Sequence, residues 1–267
     1  MSTRSHAVRD SITMLRRDVK HSLRFPMMSV SGLLMPIGML LLFVGVFGRT
    51  LSGGLGGSGG AAGGGYINFL TPGVLLMAAG AAAAATAVNV NVDMHQGGIV
   101  PRFRTMAITR SAVLTGQVLG AVSRTMISAV LVVAVAVGLG FRSPADPIAW
   151  LATAGLFALL TMALTWIAVA FGLKAKTPAG ANSLSLILQF LPFLSSAFVP
   201  TDAMPTGVRI FAEYEPYTPV IDTFRGLMMG GQIGHNGVLA VAWCLGLATA
   251  GHLWSRTLYD RGPATQA

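Results

Sequence analysis

Long stretches without a charged side chain constrain this chain more than any other feature. Residues 28–47 are twenty consecutive positions lacking Asp, Glu, Lys and Arg, and similar runs follow at 67–92, 125–139, 148–171, 181–199 and 238–254. About 20 apolar residues in helical form cross the hydrocarbon core of a bilayer. A chain in lipid must satisfy its backbone polar groups internally, which leaves helices and closed barrels. Only 10% of the 267 residues are charged, against about 25% in a soluble domain. The expected fold is all-α: a polytopic membrane protein with six transmembrane helices and both termini on one face.

The spans divide the chain into residues 1–27, a permease-like bundle at 28–255 and a tail at 256–267. The first segment is too polar, and the run after it too long, for a cleaved signal peptide, so it is expected to remain as an anchor. Val8, Ile12, Leu15, Val19 and Leu23 recur at helical spacing amid Arg9, Arg16, Arg17, Lys20 and Arg24. A basic amphipathic helix of this kind lies in the membrane interface, where it can anchor the chain or contribute to a docking surface.

The net charge of +9 fits membrane topology better than nucleic-acid binding, so no nucleic-acid partner is expected. Segments on the side of the N-terminus carry 14 of the 18 Lys and Arg residues, and the other side carries Arg49, Arg142, Arg209 and Arg225. Short Lys/Arg-rich loops stay in the cytoplasm, which predicts cytoplasmic termini and a plasma-membrane location. Cys244 is the only cysteine, and His6, His21, His95, His235 and His252 show no metal-ligand spacing. No metal or cofactor is expected in this chain.

Lys20, Lys174 and Lys176 are the only lysines and none follows a glycine. The chain therefore carries no P-loop, whose Gly-Lys step holds nucleotide phosphates. The glycine-rich stretch at 53–66 reads as a flexible loop. The six span cores hold no ionisable group of the kind that carriers driven by ion gradients usually place in the bilayer. That weakens the reading of an ATP-independent secondary carrier.

Two patterns within the spans suggest function. Asn182, Ser185, Gln189 and Ser196 recur along the fifth span at intervals of 3, 4 and 7. They can face a substrate path or subunit seam, or bond to neighbouring helices. The Ala-rich run at 78–87 can bring helices close together or leave room for a ligand. Between the fifth and sixth spans, residues 218–231 predict a short helix with Thr218 as N-cap, Pro219 at its first position and Gly230–Gly231 at its end. Val220, Phe224, Leu227 and Met228 form its apolar face, so one or two helices should dip into the outer leaflet or cap the bundle.

Residues 97–114 form a basic segment between apolar runs. Pro101 suits a helix start, and Phe103, Met106 and Ala107 share a face opposite Arg102, Thr105 and Thr109. The segment can be a short cytoplasmic helix that receives force from a partner, or a loop that fixes topology.

The run VDMHQGGIVPRFRTMAITRSAVLTGQVLGAVSRT at 92–125 resembles the intracellular region of type-two ABC-transporter permeases, in particular the daunorubicin-resistance-like branch. Asp93, Gly98–Ile99, Arg102–Phe103–Arg104, Arg110–Leu114 and Gly116 carry the likeness. A second likeness lies at 198–231, in Val199–Pro200, Met204–Pro205, Pro216–Pro219 and Arg225–Gly226. Pro101 stands where the family commonly has an acid, and Met106–Ala107 where a proline is usual. The resemblance implies a second permease subunit, identical or not, and separate ATP-binding subunits that hold ATP and Mg. It implies a coupling helix at 101–109, with Pro101, Arg102, Phe103, Arg104, Met106 and Arg110 contacting the ATPase. It also places the second and fifth spans around the path. The expected function is export of hydrophobic drugs without catalysis by this chain, with lipid or glycan export as the alternative.

Overall fold

The computed structural model describes residues 35–47, 65–95, 110–198 and 205–261. Eight helices and no strand occur among the described residues. They are α1 (Met35–Val46), α2 (Gly65–His95), α3 (Arg110–Gly138), α4 (Pro147–Lys174), α5 (Pro178–Phe190), α6 (Thr206–Tyr214), α7 (Tyr217–Met229) and α8 (Asn236–Arg261). Among the described residues, four apolar helical stretches are long enough to cross a membrane: Ile67–Met94, Leu114–Gly138, Pro147–Lys174 and Asn236–Tyr259. The 28 residues of α4 rise roughly 42 Å at 1.5 Å each, more than the ~30 Å hydrocarbon core. Shorter apolar helices lie at Met35–Val46 and Pro178–Leu194. The protein is an all-α, polytopic membrane protein.

The third span extends well beyond its expected core, and the fifth has different bounds in the structure. The stretch 125–139, expected as the core of the third span, forms the distal part of α3, which begins at Arg110. Gln117, Ser123 and Arg124 lower the hydropathy of its first half without breaking the helix. The stretch 181–199 is not one helix. α5 ends at Phe190 and continues as a 3-10 turn, Leu191–Leu194, followed by the turn residues 195–198. Pro192 has no N–H and its ring clashes with the preceding turn, so the α-helix stops there. The expected interfacial helix at 1–27, most of the glycine-rich loop and residues 262–267 lie outside the described residues. Gly65 and Tyr66, expected in that loop, begin α2.

α4 is the central helix and packs most heavily on α8 and α2, while α2 also packs along α5. Small residues make these contacts close. A Cβ on Gly172 of α4 would lie 2.4 Å from the Ala87 carbonyl oxygen of α2. One on Gly80 of α2 would lie 2.7 Å from the Leu188 carbonyl oxygen of α5, and one on Gly251 of α8 would lie 2.9 Å from the Ile167 nitrogen of α4. Ala79, Ala83 and Ala87 are fully buried. The Ala-rich run therefore serves close backbone packing, as small residues do where lipid supplies no hydrophobic drive between helices.

At one end of the bundle, Val90, Leu114, Val118, Trp166, Val169 and Tyr259 form a compact cluster. There Asn91 of α2 donates to the carbonyls of Gly172 (3.0 Å) and Ala175 (2.6 Å). Those carbonyls belong to the last turn of α4 and to its C-cap residue, where helical donors are lacking. The Thr177 hydroxyl accepts from the Gly180 N–H and starts α5. At the opposite end α7 packs against α8, α4 and α2. Tyr217, Val220, Ile221, Phe224 and Met228 are buried, so the connection is a cap built into the bundle. Thr218 does not cap α7, which starts at Tyr217, and its oxygen instead accepts from the Ser196 N–H. Gly230 ends the helix in the left-handed region at φ 72°, as a C-terminal glycine does.

Candidate functional site

The break in α5 leaves a buried carbonyl without its helical donor. In an unbroken helix the Leu188 carbonyl would accept from the N–H of residue 192, which is a proline. The Tyr217 hydroxyl of α7 donates to it instead at 2.9 Å, and that bond is buried. Irregular backbone at membrane depth persists only where protein or a water-filled cavity surrounds it. Here α7 supplies the protein.

Arg225, two turns along α7, binds the same break. One guanidinium nitrogen donates to the carbonyls of Ser196 (2.6 Å) and Ala197 (3.1 Å) and reaches that of Phe69 in α2 (3.4 Å). The guanidinium lies 3.7 Å from the centroid of the Phe69 ring, within the range of cation–π attraction. Asp222 pairs with Arg225 at 3.7 Å, accepts from the Ser196 hydroxyl at 3.1 Å and accepts from Asn236 of α8 at 3.3 Å. One turn of α7 thus joins α2, the broken α5 and α8. Burial lowers the Arg225 pKa to about 10, with Asp222 opposing that shift. Burial raises that of Asp222, offset by Ser196 and Arg225. Beside Arg225, Gly226 allows close approach to Ile233, whose Cγ1 would lie 2.9 Å from an added Cβ.

Glu215, between α6 and α7, is 4% exposed, and neither carboxylate oxygen has a hydrogen-bond partner of good geometry. Burial pushes its pKa up to about 8, and the neighbouring Thr218 hydroxyl offsets only part of that. A carboxyl removed from water favours its neutral form.

The four polar residues expected on the fifth span do not share one environment. Asn182 is exposed. Ser185 is buried and donates to Ala181 in its own helix at 2.8 Å. Gln189 is half-buried and reaches the Met35 sulfur of α1 at 3.2 Å. Ser196 lies beyond the Pro192 break and belongs to the α7 cluster. Of the residues expected to contact an ATPase, Pro101, Arg102, Phe103, Arg104 and Met106 lie outside the described residues, and Arg110 is the first residue of α3. The helices flanking that segment are joined, because Gln117 of α3 donates to Asp93 of α2 at 2.9 Å.

Sequence reasoning missed Glu215, Tyr217 and Asn91 as structural or functional groups. Pro192 was the available signal for Tyr217, since a proline inside a span implies a carbonyl in need of a donor.

Comparison with known proteins matches the description "ABC-2 type transporter" over residues 10–229. The chain is 28% identical over 228 residues to the daunorubicin resistance ABC transporter permease protein DrrB1 of Streptomyces coeruleorubidus, covering 85% of this chain and 77% of that one. It is 23% identical over 150 residues to the probable doxorubicin resistance ABC transporter permease protein DrrC of Mycobacterium tuberculosis, covering 56% and 54%. An all-α bundle whose match runs from the N-terminal segment to the end of α7 belongs to the ABC-2 type transporter family of membrane proteins.

Proposed function

We propose that this chain is the permease subunit of an ATP-driven exporter that moves hydrophobic drugs out of the cell. A separate ATP-binding subunit would hold ATP and Mg, and a second permease subunit would complete the path. The observation that carries this reading is the family match over residues 10–229, with drug-resistance permeases among the relatives. The lack of a P-loop in the sequence supports a division of labour between path and motor. The Lys/Arg distribution supports cytoplasmic termini in a multi-pass plasma-membrane protein.

Force enters at residues 101–110. The Asp93–Gln117 bond makes α2 and α3 respond together when that segment moves. α2 then carries the motion to α5 through the close approach of Gly80 to Leu188, and to the turn beyond the break through that of Gly73 to Ala197. The α7 cluster holds the far end of α5 through Tyr217, Asp222 and Arg225. Separation of α2 and α5 from α7 opens the path outward, and the bonds re-form on closure.

The test is doxorubicin efflux by cells expressing this chain with its ATP-binding subunit. The Arg102→Glu/Arg104→Glu variant should assemble in the membrane and lose coupled efflux. Full efflux by that variant overturns the coupling role of residues 101–110.

A further inference from the structure

The cap at the α7 end holds one functional group that its own architecture does not use. Tyr217 is committed to the Leu188 carbonyl. Asp222 serves Ser196, Asn236 and Arg225, and Arg225 is spread over three carbonyls and the Phe69 ring. Glu215 is the one carboxyl among these that is buried with neither oxygen in a hydrogen bond of good geometry, whereas Arg225 leaves only its Nε unbonded. A buried polar group left without a bond destabilises a fold, so Glu215 contributes nothing to stability that an apolar residue would not exceed. Groups that break local rules at a stability cost concentrate at functional sites.

Position adds to this. Glu215 is two residues from Tyr217, whose hydroxyl touches the interrupted α5. Interrupted helices in membrane proteins are tolerated where backbone is buried or lines a cavity. Among the described residues, the groups that face Glu215 offer it no positive charge. They are the Thr218 hydroxyl and the Tyr217 phenol, and the phenol in turn faces the Cys244 thiol of α8. The nearby cation, Arg225, is held by Asp222 and the carbonyls. Among the described residues, the site therefore has an acid without a counter-ion, beside the element that parts in the exporter reading as the path opens.

We infer that Glu215 recognises a protonated amine on an amphipathic cargo. This rests on the exporter reading above and narrows its substrate class to monocationic amphiphiles. In the closed cap the carboxyl is neutral. When α7 parts from α5, the acid gives its proton to water and the resulting carboxylate pairs with the incoming ammonium group. The O–H bond that breaks yields one proton to solvent, and the ammonium charge replaces it, so the site stays neutral overall. On closure without cargo the carboxylate recovers a proton from water. A charged pair removed from bulk water discriminates strongly, because the wrong ligand leaves a buried charge unpaired.

The test uses the full chain assembled with its ATP-binding subunit in inverted vesicles. Two probes are compared: doxorubicin, which carries an amine, and N-acetyl doxorubicin, whose amide is uncharged. Wild type should transport doxorubicin at least tenfold better than the N-acetyl compound. Glu215→Gln should lose at least tenfold of doxorubicin transport with unchanged N-acetyl transport. Glu215→Asp, which keeps the charge, should retain most of the preference. Equal loss of both probes in Glu215→Gln, or loss of neither, overturns the inference and leaves the exporter reading standing. If wild type itself moves both probes within twofold of each other, the inference is overturned whether or not the variants assemble. Transport of neither probe by wild type overturns the exporter reading and this inference with it.

Discussion

The Tyr217 hydroxyl donates to the Leu188 carbonyl at 2.9 Å, and that carbonyl is the one Pro192 deprives of its helical donor. A residue on the capping helix thus completes a helix broken 25 positions earlier in the chain. Tyr217→Phe keeps the ring and removes the bond, leaving a buried acceptor unsatisfied at a cost of about 1–3 kcal/mol. Thermal unfolding in detergent should show a lower midpoint. In the Pro192→Ala background the helix regains its own donor, so the same Tyr217→Phe change should cost less. Equal costs in both backgrounds would contradict the link.

Arg225 should tolerate no simple replacement. One guanidinium nitrogen meets the Ser196 and Ala197 carbonyls while the planar face lies on Phe69, a combination a lysine cannot reproduce. Arg225→Met leaves those carbonyls and Asp222 without their cation and should destabilise the protein by about 1–3 kcal/mol. Arg225→Lys should fall between Met and wild type. Denaturation midpoints of the three proteins check the order.

Close packing gives a contrast between glycines. Gly172→Ala would place a Cβ 2.4 Å from the Ala87 carbonyl oxygen, whereas nothing lies within 4 Å of one at Gly246. Overpacking of this kind costs roughly 1–3 kcal/mol, while an open, exposed site changes stability by about 0.5 kcal/mol or less. Gly172→Ala should also reduce transport, because α2 and α4 must move apart to accommodate it. A functional and stable Gly172→Ala protein would contradict the packing described.

Glu215 sets a pH dependence with a definite sign. The unfolded chain loses this proton near 4.5 and the folded chain holds it until about 8. Between those values the folded state binds the extra proton, so stability declines as pH rises, by at most about 1.4 kcal/mol per unit. Glu215→Gln removes this titration. Its stability should exceed that of wild type increasingly from about pH 5 to pH 8. Parallel profiles for the two proteins would show that Glu215 is not buried as a neutral acid.

The architecture was largely legible because lipid imposes a simple rule: uncharged runs at 67–92, 148–171 and 238–254 all fall within the helices found. The short helix after Pro216 was legible too, since Pro219 and Gly230 punctuate it, and the small residues of α2 pointed to close packing as one of two options. The site was harder to read. Pro192 lies in an apolar stretch that hydropathy treats as continuous, so Ser196 was placed on a face it does not share with Ser185. Glu215, Asp222 and Arg225 sit in a segment dense with proline and charge, whose apolar face predicts a cap but not which polar side chains the cap encloses. Their burial depends on α7 folding back onto α2 and α8, a contact between residues as much as 156 positions apart in Arg225 and Phe69. No local pattern encodes that.

The most direct measurement is uphill doxorubicin movement in vesicles holding the purified chain, with and without its ATP-binding subunit. The division of labour between path and motor requires accumulation only when both the subunit and ATP are present. Accumulation by this chain alone, with an ion gradient and no nucleotide-hydrolysing protein, would contradict it.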